Sequence, residues 1–211
     1  MAASVGLSLC CAGALAGGAN AAREPSERNS WHHAPLVALT STIYNASVEL
    51  NDVDRGVYES LALRLAMHPS ETMEYMATRV MAYCLEYTEG IEMTAGLSDG
   101  DEPAIVVRDL TGRITSWIEV GLPDADRLHR ASKLAQHVAV YTHRDIRILL
   151  GQLEGRRIHR AEELAIYSFA GDFIRDLAAH FERRSAISLS VIGGLPTVLL
   201  ALWIAIRRTS T

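Results

Sequence analysis

With 211 residues, 49% of them hydrophobic, the chain is long enough to bury one sizeable core. Charged residues make up 21%, which excludes global disorder. The formal net charge of −5 weighs against non-specific coating of duplex nucleic acid, although ten basic residues gather between Arg108 and Arg160 and leave room for a local patch.

Residues 1–36 read as a segment apart from the rest. Ala2–Gly18 is small and apolar and is followed by Ala19-Asn20-Ala21-Ala22, in the manner of a secretory h-region and cleavage site, yet no basic residue precedes it. Val37 is therefore expected to be the true start, because a GTG codon encodes valine internally and methionine when it initiates. The cysteines, Cys10, Cys11 and Cys84, form no CxxC pair and no Cys/His cluster. Neither a disulfide framework nor a structural zinc site is expected, and a reducing cytoplasm fits.

Alternation over Thr42–Leu50, a turn at Asn51–Asp54 and renewed alternation over Gly56–Ala66 predict a hairpin. Pro69 ends the second strand, Ser70 is the expected N-cap and Glu71 the first-turn acid of a helix running to about Tyr87. A glycine-rich loop, Leu97–Gly100, leads to Asp101-Glu102-Pro103 and a short strand, Ala104–Val107. After a turn at Asp109–Gly112, the strand Arg113–Val120 turns Ile114, Ser116, Ile118 and Val120 to one side and Thr115, Trp117 and Glu119 to the other. Asp124 caps a helix from Ala125 to about Gln136. A strand at His137–Thr142, a helix at Arg144–Leu153, a strand at Glu163–Ser168 and a helix at Asp172–Phe181 follow.

The end of the chain admits two readings. Ala186–Ile206 is 21 residues without a charge, long enough to span a bilayer as a helix. Gly193, Gly194 and Pro196 favour instead two buried strands, Ala186–Val191 and Thr197–Ile206, around a glycine turn. The fold class expected is α/β (α+β): a mixed sheet with flanking helices, in one domain from residue 37 onward.

The chemistry rests on acids. Asp101 and Glu119 stand eighteen positions apart on neighbouring strand segments, with Glu71 as a third acid at a helix head. Two carboxylates so placed suit Mg²⁺, which takes one or two carboxylates and fills its sphere with water and phosphate oxygens. The plain alternative is that Asp101 caps a turn and Glu119 pairs with an arginine. Trp117 and Tyr141 suit core packing better than base stacking. His68 and His129 stand alone, and no nucleophile triad, Walker loop or dinucleotide fingerprint is present.

The strings Thr42-Ile43-Tyr44, His68-Pro69-Ser70-Glu71, Asp101-Glu102-Pro103 and Trp117-Ile118-Glu119-Val120-Gly121-Leu122-Pro123-Asp124, with Arg127, Arg130-Ala131-Ser132 and Tyr141, resemble the bacterial YaeQ family in order and spacing. The likeness covers about 38–191, and the family's Met-Ala-Leu start falls on Val37-Ala38-Leu39. It implies a cytoplasmic protein without a membrane helix, similar in fold to the PD-(D/E)xK restriction-nuclease-like superfamily, whose core runs α-β-β-β-α-β. Carried over by motif, Asp101 is the Asp of the PD element, preceded by Gly100 rather than proline, and Glu119 is the acid of the E-x-K element. Gly121 stands where the lysine belongs. That role would pass to Lys133, the chain's one lysine, or to Arg130, three residues apart on one helix face. Arginine could only bind phosphate or stabilise charge there. Three functions are compatible with these residues: a Mg²⁺-dependent nucleic-acid phosphodiesterase with Asp101, Glu119 and Glu71 at the metal and Lys133 or Arg130 on phosphate; a non-catalytic binding module on the same fold; and a membrane-tethered protein using residues 186–206.

Overall fold

Alternation buries Ala46, Val48, Leu50 and Asp52 in Thr42–Asp52 (β1) and Leu61, Leu63 and Leu65 in Val57–Met67 (β2), and the two strands pair antiparallel over their whole length. The computed structural model describes residues 41–94 and 102–200, with backbone only at Leu195 and residues 197–200. The expected start at Val37, the candidate ligand Asp101 and the chain end from residue 201 lie outside the described residues.

β1 also pairs in parallel with Arg184–Ile192 (β8), which in turn pairs antiparallel with Leu195–Leu200 (β9). The first sheet is therefore β2-β1-β8-β9. A second sheet takes the middle of the chain in the order β3-β4-β5-β6-β7: Ile91–Met93, Ile105–Arg108, Ile114–Val120, His137–Thr142 and Ala165–Ser168. Its first three strands are antiparallel neighbours; β5, β6 and β7 run parallel. Four α-helices accompany them among the described residues: Met73–Leu85 (α1), Ala125–Leu134 (α2), Ile146–Leu153 (α3) and Gly171–Ala179 (α4).

The fold is mixed α/β, as expected, but it has two sheets where one was expected. Helix α1 explains the division. Its residues from Met76 to Ala82 are all buried, Thr78 and Arg79 among them. Met76, Val80, Met81 and Cys84 pack with Ile174 and Leu177 of α4 against Val48, Leu50 and Leu189 of the first sheet. Ala82 packs against Ile105, Ile118 and Ala139 of the second. A helix buried on both sides is apolar nearly all round and serves two sheets. The opposite face of the second sheet, with Trp117, Val138 and Val140, is covered by Leu128 and Ala131 of α2 and Leu149 of α3.

Three local expectations change. The N-cap of α1 is Thr72, whose Oγ1 accepts a hydrogen bond from Tyr75 N at 3.2 Å; Ser70 sits in the preceding turn against His68. Glu71 consequently precedes the helix, and Glu74 is the first-turn acid. The local pattern gave two strands between α1 and α2, and the structure has three, β3 being the addition. At the end of the chain the helical reading fails. Residues 184–200 form a hairpin whose turn glycines, Gly193 and Gly194, have φ of 62° and 72°, a conformation open to glycine and costly to other residues. No helix among the described residues is long and apolar enough to cross a membrane.

Candidate functional site

The strand alternation read from the sequence holds in β5. Ile118 and Val120 face α1, and Trp117 faces α2. Glu119 lies on the Trp117 side and is only 4% exposed. A buried carboxylate needs partners, and Glu119 has two on the same oxygen. Its Oε1 accepts hydrogen bonds from Trp117 Nε1 and from Arg127 Nε, each at 2.6 Å. Burial pushes the Glu119 carboxyl above the ordinary carboxylate range, against the pull of the Arg127 and Trp117 hydrogen bonds.

Arg127 reaches Glu119 because Asp124 fixes the start of α2. The Asp124 carboxylate accepts from Arg127 N at 2.7 Å, which sets the first turn beside the C-terminal end of β5. The same guanidinium donates through Nη2 to the Glu102 carbonyl. One side chain thus joins the β5 acid to the segment entering β4.

From the other side, α1 supplies Arg79, 3% exposed. Its Nε donates to the Ala104 carbonyl at 3.3 Å and its Nη2 to the Thr94 carbonyl. Thr94 Oγ1 donates in turn to the Pro103 carbonyl. Arg79 therefore fastens the end of β3 to the start of β4. Glu71 is also buried, with Oε2 accepting from His68 N at 3.0 Å. Between these groups lies Tyr75. Burial pushes its phenol up to about 12, with Arg79 and Arg127 opposing and Glu71 and Glu119 adding to the rise. Glu71, Arg79, Glu119 and Arg127 thus form one electrostatic neighbourhood around Tyr75.

Gly121 occupies the position of the absent lysine. Its φ is 97°, its N–H donates to the Tyr141 carbonyl at 2.8 Å, and a Cβ there would stand 3.9 Å from the Tyr75 ring. The backbone conformation, more than lack of space, disfavours a side chain at this point. Arg130 and Lys133 are exposed on α2, and neither makes a hydrogen bond or ion pair among the described residues. Lys133 is six residues beyond Arg127, about 9 Å along the helix and about 120° around it. The cation hydrogen-bonded to Glu119 is therefore Arg127, a residue that sequence reasoning noted only within a motif.

Trp117 and Tyr141 pack in the core, and each polar tip is engaged. The Tyr141 hydroxyl donates to Glu86 Oε1 at 2.7 Å while its ring stacks on Tyr167, centroids 4.8 Å apart. His129 Nδ1 accepts from His159 N at 3.2 Å. Among the described residues no group of three His, Cys, Asp or Glu side chains is arranged around a metal position. Mg²⁺ does not require one, because one or two carboxylates with water and phosphate oxygens complete its sphere. With both lone-pair directions of Oε1 taken, Oε2 of Glu119 makes no hydrogen bond among the described residues. The donor set fits a hard divalent cation on that oxygen.

The YaeQ protein family model matches residues 37–200. The chain belongs to the YaeQ family. It is 32% identical to the YaeQ protein of Escherichia coli strain K12 over 161 residues, covering 75% of this chain and 88% of that one. It is 42% identical to the Salmonella typhi YaeQ protein over 107 residues, or 51% of this chain and 59% of that one. The crystal structure of YaeQ from Pseudomonas syringae superposes with a TM-score of 0.68 at 34% identity, over 75% of this chain and 88% of that chain. The YaeQ structure from Xanthomonas axonopodis pv. citri does so with a TM-score of 0.69 at 29% identity, over 76% and 92%. The YaeQ fold is thus the two-sheet arrangement described above.

Proposed function

We propose that this YaeQ-family chain is a metal-dependent phosphodiesterase acting on nucleic acid, built on a PD-(D/E)xK nuclease-like core. The element order α1-β3-β4-β5-α2-β6 supports that reading. So does the sheet, in which β3, β4 and β5 are antiparallel and β6 joins β5 in parallel. The observation that carries it is the Arg127 bridge. The guanidinium holds both Glu119 and the carbonyl of Glu102, the residue that follows Asp101 in the chain. The two segments bearing the acidic pair therefore share one anchor.

In this reading Asp101 and Glu119 hold Mg²⁺, with Glu71 as the neighbouring acid. When bound, Mg²⁺ supplies Lewis acidity at the phosphoryl group and a more acidic water. The chain's own residues do the rest. Trp117 and Arg127 fix the Glu119 carboxylate. Arg79 ties down the chain on both sides of the segment leading into β4. Arg130 and Lys133, exposed on α2 and without competing partners among the described residues, contact the phosphate backbone as cations. The buried, reduced Cys84 suits a cytoplasmic setting.

A second reading, a binding module that has lost the chemistry, is favoured by one observation: Gly121, with its positive φ, leaves no lysine beside Glu119. Cleavage of a 5′-labelled single-stranded oligonucleotide decides between them. The phosphodiesterase reading predicts Mn²⁺- or Mg²⁺-dependent cutting, stopped by chelation and lost in Glu119→Gln. Saturable binding of the oligonucleotide with no cutting in any divalent cation would support the module instead.

A further inference from the structure

The hydrogen-bond geometry of Glu119 assigns a task to a residue outside the acidic set. We propose that Arg127 is the positioning residue of this site, clamping Oε1 of Glu119 and the Glu102 carbonyl so that Oε2 is the oxygen presented to a divalent cation. The inference rests on the metal reading given above and adds which chain atoms make it work.

A carboxylate oxygen has two good acceptor directions. On Oε1 both are filled, by Trp117 Nε1 and Arg127 Nε. The Trp117 donor comes from the same strand, two residues away, and holds the carboxylate along β5. The Arg127 donor comes from α2 and holds it across the gap between helix and sheet. The guanidinium is planar and rigid, so a second donor on Glu102 fixes its plane and, through it, the carboxylate plane. An ammonium group at this position has no planar fork and would not fix the carboxylate plane in this way. The side chains of Arg127 and Glu119 are 20% and 6% exposed, so water does not readily replace the contact.

The arrangement is that of a carboxylate ligand oriented by an outer hydrogen-bond donor, and loss of such a partner lowers metal affinity about 10–100-fold. Gly121 has no side chain to give, and Arg127 supplies the fixed positive charge beside the acid from the helix instead.

Calorimetric titration of the full chain with Mn²⁺ tests this, comparing wild type with Arg127→Gln, Arg127→Lys and the double variant Arg127→Gln/Glu119→Gln. Circular dichroism and the thermal midpoint of each protein are recorded alongside. Arg127→Gln should bind Mn²⁺ about tenfold or more weakly. Arg127→Lys should fall between that variant and wild type, and adding Arg127→Gln to Glu119→Gln should change nothing further. If Arg127→Gln does not fold, Arg127→Lys decides, and wild-type affinity there overturns the proposal. Wild-type or tighter Mn²⁺ binding by a folded Arg127→Gln also overturns it while leaving the metal reading intact. Absence of Mn²⁺ binding by the wild-type chain overturns both.

Discussion

Glu119→Ala is expected to lower the unfolding free energy by about 3 kcal/mol, near the lower end for breaking a buried ion pair. The Arg127 side chain left behind is one-fifth exposed and keeps its bond to the Glu102 carbonyl, which limits the loss. Trp117 Nε1 fares worse, because a buried indole N–H loses its acceptor. Glu119→Gln should be far milder, about 1 kcal/mol. The amide oxygen can still accept from Trp117 and Arg127, and a neutral side chain avoids the cost of burying a charge, the effect that pushes the Glu119 carboxyl up. Urea unfolding of the two variants against wild type measures the difference. Equal losses would mean that the acceptor oxygen kept by glutamine makes no difference to Trp117 and Arg127, and the described network would be wrong.

The second large effect is expected at Gly90. Its φ is 81°, and a Cβ built there would overlap the Arg108 carbonyl oxygen. The two backbones are also bonded, Arg108 N donating to the Gly90 carbonyl at 3.0 Å, so neither can withdraw without loss. Gly90→Ala therefore combines a left-handed conformation costing about 1–2 kcal/mol with a backbone overlap, and a total of about 3 kcal/mol or more is expected. The damage should concentrate in β3, with faster hydrogen exchange at Ile91–Met93. It should pass to Thr94, which β3 delivers to Arg79 and Pro103. Wild-type stability in Gly90→Ala would contradict the close approach of the two segments.

Much of the fold was legible because period and punctuation agree in this chain. The β1–β2 hairpin follows from alternation around a polar turn. β6 follows from an apolar run closed by Thr142, and the cap of α2 from Asp124. The final hairpin was legible in Gly193-Gly194 against a competing membrane-length run. Pairing was not legible. β1 and β8 are far apart in sequence, and nothing local in either says that they lie side by side in a sheet separate from β3–β7. β3 was missed because three residues carry no measurable period. The cap of α1 was misplaced by two residues because Ser70 and Thr72 are both good caps, and the turn between His68 and Glu71 settles the matter in favour of Thr72.

The site divides in the same way. Glu119 could be found from the alternation of β5, and Gly121 could be marked as an absence. Arg127 could not, because an arginine in the first turn of a polar helix is ordinarily solvated. Its role depends on how α2 packs across Trp117 and Leu128, which is tertiary information. Arg79 gives a fainter signal: a charged residue amid the apolar Met76–Ala82 run must be paired or functional, and here it holds two carbonyls.

A metal-dependent activity in this chain requires Glu119 to bind a divalent cation. Isothermal calorimetry with Mn²⁺, on wild type and on Glu119→Gln shown to be folded by circular dichroism, measures this. The prediction is a saturable isotherm with wild type and no saturable heat with the variant. Superimposable isotherms from the two proteins would contradict it.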